Sequence, residues 1–134
     1  LMEDVLVAAP STRAARDATR GGVAATLNEM AVAAGCAVEI DEDALPLRDE
    51  VRGMCEILGL DPLYLANEGT LVAFVPEDQA EAALAAMRAR PEGRGACAIG
   101  GATGGPAGRV TMRTRFGGAR LVDMLVGEQL PRIC

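Results

Sequence analysis

The sequence predicts an α+β domain, with helices packed on a mixed β-sheet. Three observations lead to that class. Apolar residues recur at three- and four-residue steps in three separate stretches, short apolar runs stand between and after them, and a glycine pair joins two late runs as a hairpin. With 134 residues, half of them apolar, the chain is long enough to bury on the order of two-thirds of its unfolded surface in one domain. That domain is expected over residues 1–126, and 127–134 as a flexible C-terminal tail.

The opening run from Leu1 to Pro10 is acidic rather than basic and has no long apolar centre, so it does not read as a signal peptide. From Thr19 to Ala34, the residues Val23, Leu27, Met30, Ala31 and Ala34 form one stripe of an amphipathic helix, and Gly35 suits the position just past its end. Cys36 to Ile40 reads as a short strand with Val38 and Ile40 on one face. The acidic stretch Asp41-Glu42-Asp43 leads to Pro46. Asp49 is then a plausible N-cap for a second helix, with Val51, Met54, Cys55 and Leu58 as its apolar stripe and Gly59 at its end. Leu71 to Val75 is a compact apolar strand. Pro76, Glu77 and Asp78 open a third helix running to around Ala89, because the first turn leaves N–H groups unpaired and its dipole favours acids. Ala80, Ala83, Leu84 and Met87 form its buried face. Ala96 to Ile99 is a further strand. The segment Gly100 to Gly108 is expected to be irregular, since glycine loses the most freedom on ordering. Two last strands, Arg109 to Arg115 and Ala119 to Val122, flank Gly117-Gly118, whose positive φ angles suit a hairpin turn.

The composition removes several chemistries. All 13 basic side chains are Arg, and there is no His, Lys or Trp. Without His, neither a Ser-His-Asp triad nor a His-bearing zinc site is possible. Without Lys, there is no Walker A loop and no Schiff base. A net charge of −6, with one Tyr and two Phe, argues against a nucleic-acid surface, which needs cations and stacking rings. No apolar stretch approaches the ~20 residues that span a bilayer. Cys36, Cys55, Cys97 and Cys134 include no C-x-x-C pair. A chain with a sufficient core has little need of disulfides, so free thiols in a reducing, cytoplasmic setting are expected.

Two stretches invite a ligand. Asp17-Ala18-Thr19-Arg20-Gly21-Gly22 stands just before the first amphipathic helix. Backbone N–H groups at a helix start attract anions, two glycines allow close approach, and Arg20 adds a bidentate phosphate partner. Asp17 suits a metal or a ligand hydroxyl, and the plainer alternative is that Asp17 or Thr19 merely caps the helix. Ala66-Asn67-Glu68-Gly69 lies in a loop before a strand. Glu68 is a general base there if it is desolvated, and the segment is otherwise a simple turn. The Gly100–Gly108 cluster lacks the Lys and Ser of a phosphate loop and reads as a connection. Cys36, Cys55 and Cys97 sit on apolar stripes as small core residues. Cys134, the last residue, does not. A thiol on a free tail is a candidate carrier nucleophile, its pKa raised by the adjacent α-carboxylate and partly offset by Arg132, and the plainer alternative is an incidental terminal residue.

Arg16-Asp17-Ala18-Thr19-Arg20-Gly21-Gly22 with Leu27-Asn28-Glu29 resembles a motif of the hydrogenase maturation family HypE. Leu58-Gly59-Leu60-Asp61-Pro62-Leu63 with Ala66-Asn67-Glu68-Gly69 is similar to that family's next signature. Gly127-Glu128-Gln129-Leu130-Pro131-Arg132-Ile133-Cys134 is similar to its C-terminus. The resemblance runs from about Ala15 onward, and Thr70 departs from it where the family often has Lys. It implies a PurM-like (AIR synthase) C-terminal domain fold. The N-terminal domain, which in that superfamily supplies most of the ATP site and the dimer interface, is absent from this chain. The resemblance further implies that a carbamoyl group is placed on the terminal cysteine by the carbamoyltransferase HypF. It is then dehydrated with ATP to a thiocyanate, and the cyano group passes to iron on the HypC–HypD complex for [NiFe]-hydrogenase. Cys134 would then be the carrier and Glu68 the base. Asp17, Thr19, Arg20, Gly21, Gly22 and Asn67 would line the nucleotide-phosphate side of the cleft. ATP and Mg²⁺ belong to the full-length homodimer; this domain supplies no metal site, binds no cofactor tightly and is inactive alone. Two other readings stand beside this one: a non-catalytic module docking on maturation partners, or another PurM-like ATP-dependent synthetase.

Overall fold

Ten regular elements and four short 3₁₀ turns account for most of residues 1–124, which the computed structural model describes; residues 125–134, with the expected tail and Cys134, lie outside the described residues. The elements run α1 (Met2–Ala8), β1 (Ala14–Asp17), α2 (Gly22–Ala34), β2 (Ala37–Asp41), α3 (Asp49–Leu58), β3 (Leu71–Phe74), α4 (Ala80–Arg88), β4 (Gly100–Thr103), β5 (Val110–Arg113) and β6 (Ala119–Leu121). They form two sheets. One is a four-stranded sheet in the order β4-β2-β5-β6, and the other is the β1-β3 pair. In the larger sheet β2 runs parallel to β5 and antiparallel to β4, and β5 is antiparallel to β6. The expected α+β class with a mixed sheet is therefore the one observed.

Alternation positions the main core. In β2 and β5 the buried residues Val38, Ile40, Val110 and Met112 share one face, with Val38 opposite Val110 and Ile40 opposite Met112. Leu27, Met30 and Ala31 of α2 cover that face, and Leu63 and Val72 close it. A separate small core joins Val5 and Ala9 to Ala83, with Met87 packed alongside, so α1 lies against α4.

Several expectations need correction. The strand expected at Ala96–Ile99 lies at Gly100–Thr103, inside the segment expected to be irregular. It pairs with β2 from Ala37↔Thr103 to Ile40↔Gly100, and a side chain at Gly100 would collide with the backbone of Glu39 and Ile40. Glycine is thus what lets this edge strand approach, and the ladder bonds offset its entropy. The Gly117-Gly118 hairpin forms, but only Gly117 has a positive φ, of 84°. The turn closes instead over five residues, with Thr114 N–H donating to the Gly118 carbonyl at 2.8 Å. The third helix is split into a 3₁₀ turn at Glu77–Gln79 and α4. On α3 only Cys55 of the apolar stripe is buried, whereas Met54 and Leu58 are more than half exposed. α1 and β1 were not foreseen, because seven residues give too few turns for a helical period and Ala14-Ala15-Arg16-Asp17 does not alternate.

Candidate functional site

The pairing of β1 with β3 decides where the site residues fall. Asp17 lies opposite Leu71, at the end of the ribbon where β1 runs out and β3 begins. The chain stays in contact beyond that point. Ala18 N–H donates to the Thr70 carbonyl at 2.9 Å, and Asn67 N–H donates to the carbonyls of Ala18 at 3.0 Å and Thr19 at 3.3 Å. Two motifs far apart in sequence thereby share one edge: Asp17, Thr19, Arg20, Gly21 and Gly22 on one side, Asn67 and Glu68 on the other. Asp17, Arg20, Asn67 and Glu68 are exposed, Thr19 and Gly21 half-buried, and Gly22 buried.

Neither Asp17 nor Thr19 caps α2. The N-cap is Gly21, in the left-handed conformation with φ 70°, and it makes no side-chain cap bond. The first turn of a 13-residue helix therefore presents backbone N–H groups without a capping oxygen. Gly22 (φ 63°) is held from behind. A Cβ there would stand 2.5 Å from the carbonyl oxygens of both Leu63 and Leu65, in and beside the 3₁₀ turn Pro62–Tyr64. That turn is in turn fixed by Asp61, which accepts from Leu63 N–H at 3.0 Å and pairs with Arg120 of β6. Inside α2, Thr26 Oγ1 donates to the Gly22 carbonyl at 3.0 Å, tying the helix start to its second turn.

Among the described residues Arg20 forms no salt bridge, whereas its neighbour Arg16 pairs with Glu29. The guanidinium of Arg20 is thus available to an anion at the helix start. Asn67 uses its own Oδ1 to accept from Gly69 N–H at 3.0 Å, which shapes the turn that displays Glu68. Glu68 is exposed, so nothing in residues 1–124 supplies the desolvation a general base at neutral pH needs. The residues at this edge fit a nucleotide's phosphates: an uncapped helix start, a guanidinium with no carboxylate partner among the described residues and a glycine pair that leaves the backbone open. They do not by themselves fit a metal, because among the described residues no three Cys, Asp or Glu side chains stand close enough to hold one.

The remaining candidates fall elsewhere. Cys55 is buried, Cys36 half-buried against the core, and Cys97 half-buried with its thiol donating to the Ala44 carbonyl at 3.3 Å. Burial raises the Cys97 pKa above the ordinary thiol value. A groove of about 530 Å³ lies between α3 and the ends of β5 and β6, lined by Leu45, Leu47, Cys55, Leu60 and Met112 among others. It does not include the β1–β3 edge. The sequence reading missed the role of the Pro62–Tyr64 turn behind Gly22, although Asp61-Pro62 is a readable 3₁₀ start. None of the described helices is long and apolar enough to cross a membrane.

Residues 2–113 match the family model described as AIR synthase related protein, C-terminal domain. The whole chain is 72% identical to carbamoyl dehydratase HypE of Rhodobacter capsulatus and spans 39% of that relative's length. Among solved structures it is similar to the hydrogenase maturation protein HypE in complex with ATP (TM-score 0.86, 49% identity, 92% of this chain and 38% of that one). It is also similar to a chain of a HypE–HypF complex (TM-score 0.87, 37% identity, 92% of this chain and 40% of that one).

Proposed function

The chain belongs to the AIR synthase related family as the C-terminal domain of a HypE protein, and from that premise we propose that it supplies half of an ATP-dependent carbamoyl dehydratase site. The observation that carries the reading is the β1–β3 pairing, which joins the Arg20-Gly21-Gly22 helix start to the Asn67-Glu68 turn on one exposed edge. The rest of the site belongs to the full-length protein, since this chain spans only 39% of its relative.

ATP, when bound, supplies the phosphoryl group that makes a carbamoyl oxygen a leaving group. The first-turn N–H groups of α2 and the Arg20 guanidinium hold its phosphates, and they do so without reorganising, which is the main contribution a protein makes to phosphoryl transfer. Asp17, Thr19 and Asn67 flank that position. Glu68 accepts a proton from the carbamoyl nitrogen as the nitrile forms. Its desolvation comes from the part of the full-length protein that closes over this edge, and so do the protein ligands of the Mg²⁺ that accompanies ATP. Cys134 is the carrier: its thiolate forms the C–S bond to the carbamoyl carbon, and the carbamoyl donor's leaving group departs. The relative crystallised with HypF supports a carbamoyltransferase of that kind as the loading partner. A HypC–HypD complex is the acceptor of the cyano group, the full-length protein is a homodimer, and the setting is cytoplasmic.

The test supplies HypF, carbamoyl phosphate and ATP to this chain and to the full-length protein, and weighs the C-terminal peptide. Both are expected to gain a carbamoyl group on Cys134, and only the full-length protein to lose water from it. An adduct on Cys36, Cys55 or Cys97 instead of Cys134 sinks the carrier assignment. Thiocyanate formed by this chain alone sinks the claim that the active site is shared.

A further inference from the structure

Asp61 is the one charged side chain in Leu58-Gly59-Leu60-Asp61-Pro62-Leu63, and it is the N-cap of the Pro62–Tyr64 turn. Its two oxygens have different partners. Oδ1 accepts from Leu63 N–H at 3.0 Å, and Oδ2 pairs with Arg120 of β6, 59 residues further along the chain. Within the turn, Tyr64 N–H donates to the Asp61 carbonyl at 3.1 Å and Leu65 N–H to the Pro62 carbonyl at 3.3 Å. Those two backbone bonds and the cap set its peptide planes, and so small a number makes the cap a large share. The Leu63 side chain, buried in the main core, fixes how deep the turn sits. Which way its carbonyls point is left to the hydrogen bonds. The carbonyls of Leu63 and Leu65 point at Gly22, each 2.5 Å from where a Cβ would stand. Gly22 is the first residue of α2, and the N–H groups of that first turn have no partner within the helix. Carbonyls this close leave the helix start no room to move independently of the turn.

We propose that Asp61 is a positioning residue for ATP: its cap holds the Leu63 and Leu65 carbonyls against Gly22 and so fixes the N–H groups that receive the phosphates. The proposal rests on the reading that the start of α2 binds those phosphates. Glu68 is held by a separate route. Asn67 N–H donates directly to the carbonyls of Ala18 and Thr19, and Asn67 Oδ1 accepts from Gly69 N–H. The turn that displays Glu68 therefore keeps its anchors when the Asp61 cap is lost. Asp61 thus governs ATP affinity and leaves the proton transfer at saturating ATP unchanged. Arg120 engages the second oxygen from the main sheet and leaves Oδ1 to the cap. Both side chains of that ion pair are about one-third exposed, so the pair itself contributes little, and the cap carries the effect.

The experiment titrates ATP with Mg²⁺ into the full-length protein as wild type and as two variants that both lack the Arg120 pair. Asp61→Ala also removes the cap, whereas Asp61→Ser keeps a hydroxyl oxygen to accept from Leu63 N–H. Asp61→Ala is expected to weaken ATP about fivefold or more, the scale on which a contact is coupled to a ligand it does not touch. Asp61→Ser is expected to stay within about twofold of wild type, because serine caps as well as aspartate. In single turnover of the carbamoylated protein, the ATP concentration for half the maximal rate rises in Asp61→Ala while the maximal rate holds. Loss of folded protein alone does not produce that split. Equal weakening in both variants, no weakening in either, or a slower maximal rate at unchanged ATP affinity overturns the proposal. Asp4→Asn breaks an ion pair in the separate α1–α4 corner. It is expected to leave ATP affinity unchanged, and a loss matching that of Asp61→Ala would reduce the effect to general destabilisation and overturn the proposal. Should Asp61→Ala not fold, hydrogen exchange on wild type decides: ATP is expected to slow exchange of the Leu63 amide, and unchanged exchange overturns the proposal. Arg20→Met in the same titration separates the two readings. If it binds ATP as wild type does, the phosphate site is not at the start of α2 and this proposal falls with it. If it weakens ATP and Asp61→Ala does not, only the role of Asp61 is rejected.

Discussion

Replacing Gly22 with Ala isolates the contact that supports the site from behind. Gly22 and Gly35 have the same φ of 63°, so Ala at either position meets the same left-handed strain, about 1–2 kcal/mol. They differ in surroundings. A Cβ at Gly35 meets nothing within 4 Å, whereas one at Gly22 stands 2.5 Å from the carbonyl oxygens of Leu63 and Leu65. Those atoms are backbone, so no side-chain rotamer relieves the clash, and overpacking of this kind costs about 1–3 kcal/mol. Gly35→Ala is therefore expected to cost about 1–2 kcal/mol and Gly22→Ala about 2–5 kcal/mol. The assay is urea denaturation of this chain followed by circular dichroism, with unchanged m-values as the check on two-state behaviour. Equal losses in the two variants would mean that the Pro62–Tyr64 turn does not sit against the start of α2, and the frame of the site would be wrong.

Other outcomes follow from the charge and thiol environments. Asp4 accepts hydrogen bonds from both Nε and Nη2 of Arg90, at 3.0 and 2.7 Å, and these hold its pKa down to about 2. A carboxyl depressed in the folded state stabilises above its unfolded pKa of about 3.9 and loses that contribution as pH falls through the folded value. Melting temperature should therefore fall between about pH 4 and pH 2 more steeply in wild type than in Asp4→Asn; parallel curves would refute the pairing. Asp41, held below its ordinary value by its hydrogen bond to Arg113, contributes with the same sign. In alkylation followed by peptide mass, Cys55 is expected to react only on unfolding, and Cys97 only as pH rises past the ordinary thiol range. Modification of Cys55 in native protein at neutral pH would contradict its burial. Thr26→Val removes the bond to the Gly22 carbonyl and is expected to cost about 1 kcal/mol, read from the same urea curves.

What could be read from the residues was the part governed by local rules. The period of α2, the alternation of Val38 and Ile40, and Gly35 just past the end of α2 all follow from spacing and backbone chemistry. So did the two motifs of the site, since Arg20-Gly21-Gly22 and Asn67-Glu68-Gly69 carry residue types suited to phosphates and turns. What could not be read was non-local. That these motifs adjoin depends on β1, four residues with no alternation that are a strand only because β3 is there to pair with. Gly100–Thr103 is a strand because β2 accepts a partner whose Gly100 brings no side chain against the backbone of Glu39 and Ile40. The exposed half of the α3 stripe shows that amphipathicity marks a face able to be covered, without saying that this chain covers it.

The most direct measurement is single-turnover conversion of the carbamoyl group on Cys134 to thiocyanate in the full-length protein, compared among wild type, Arg20→Met and Glu68→Gln. Glu68→Gln is expected to load normally and then accumulate the carbamoyl form, slowed by about 10²–10⁴ as for loss of a general base. Arg20→Met is expected to require higher ATP for the same rate. Conversion by both variants at the wild-type rate and ATP dependence would contradict the claim that the β1–β3 edge is the catalytic half this domain contributes.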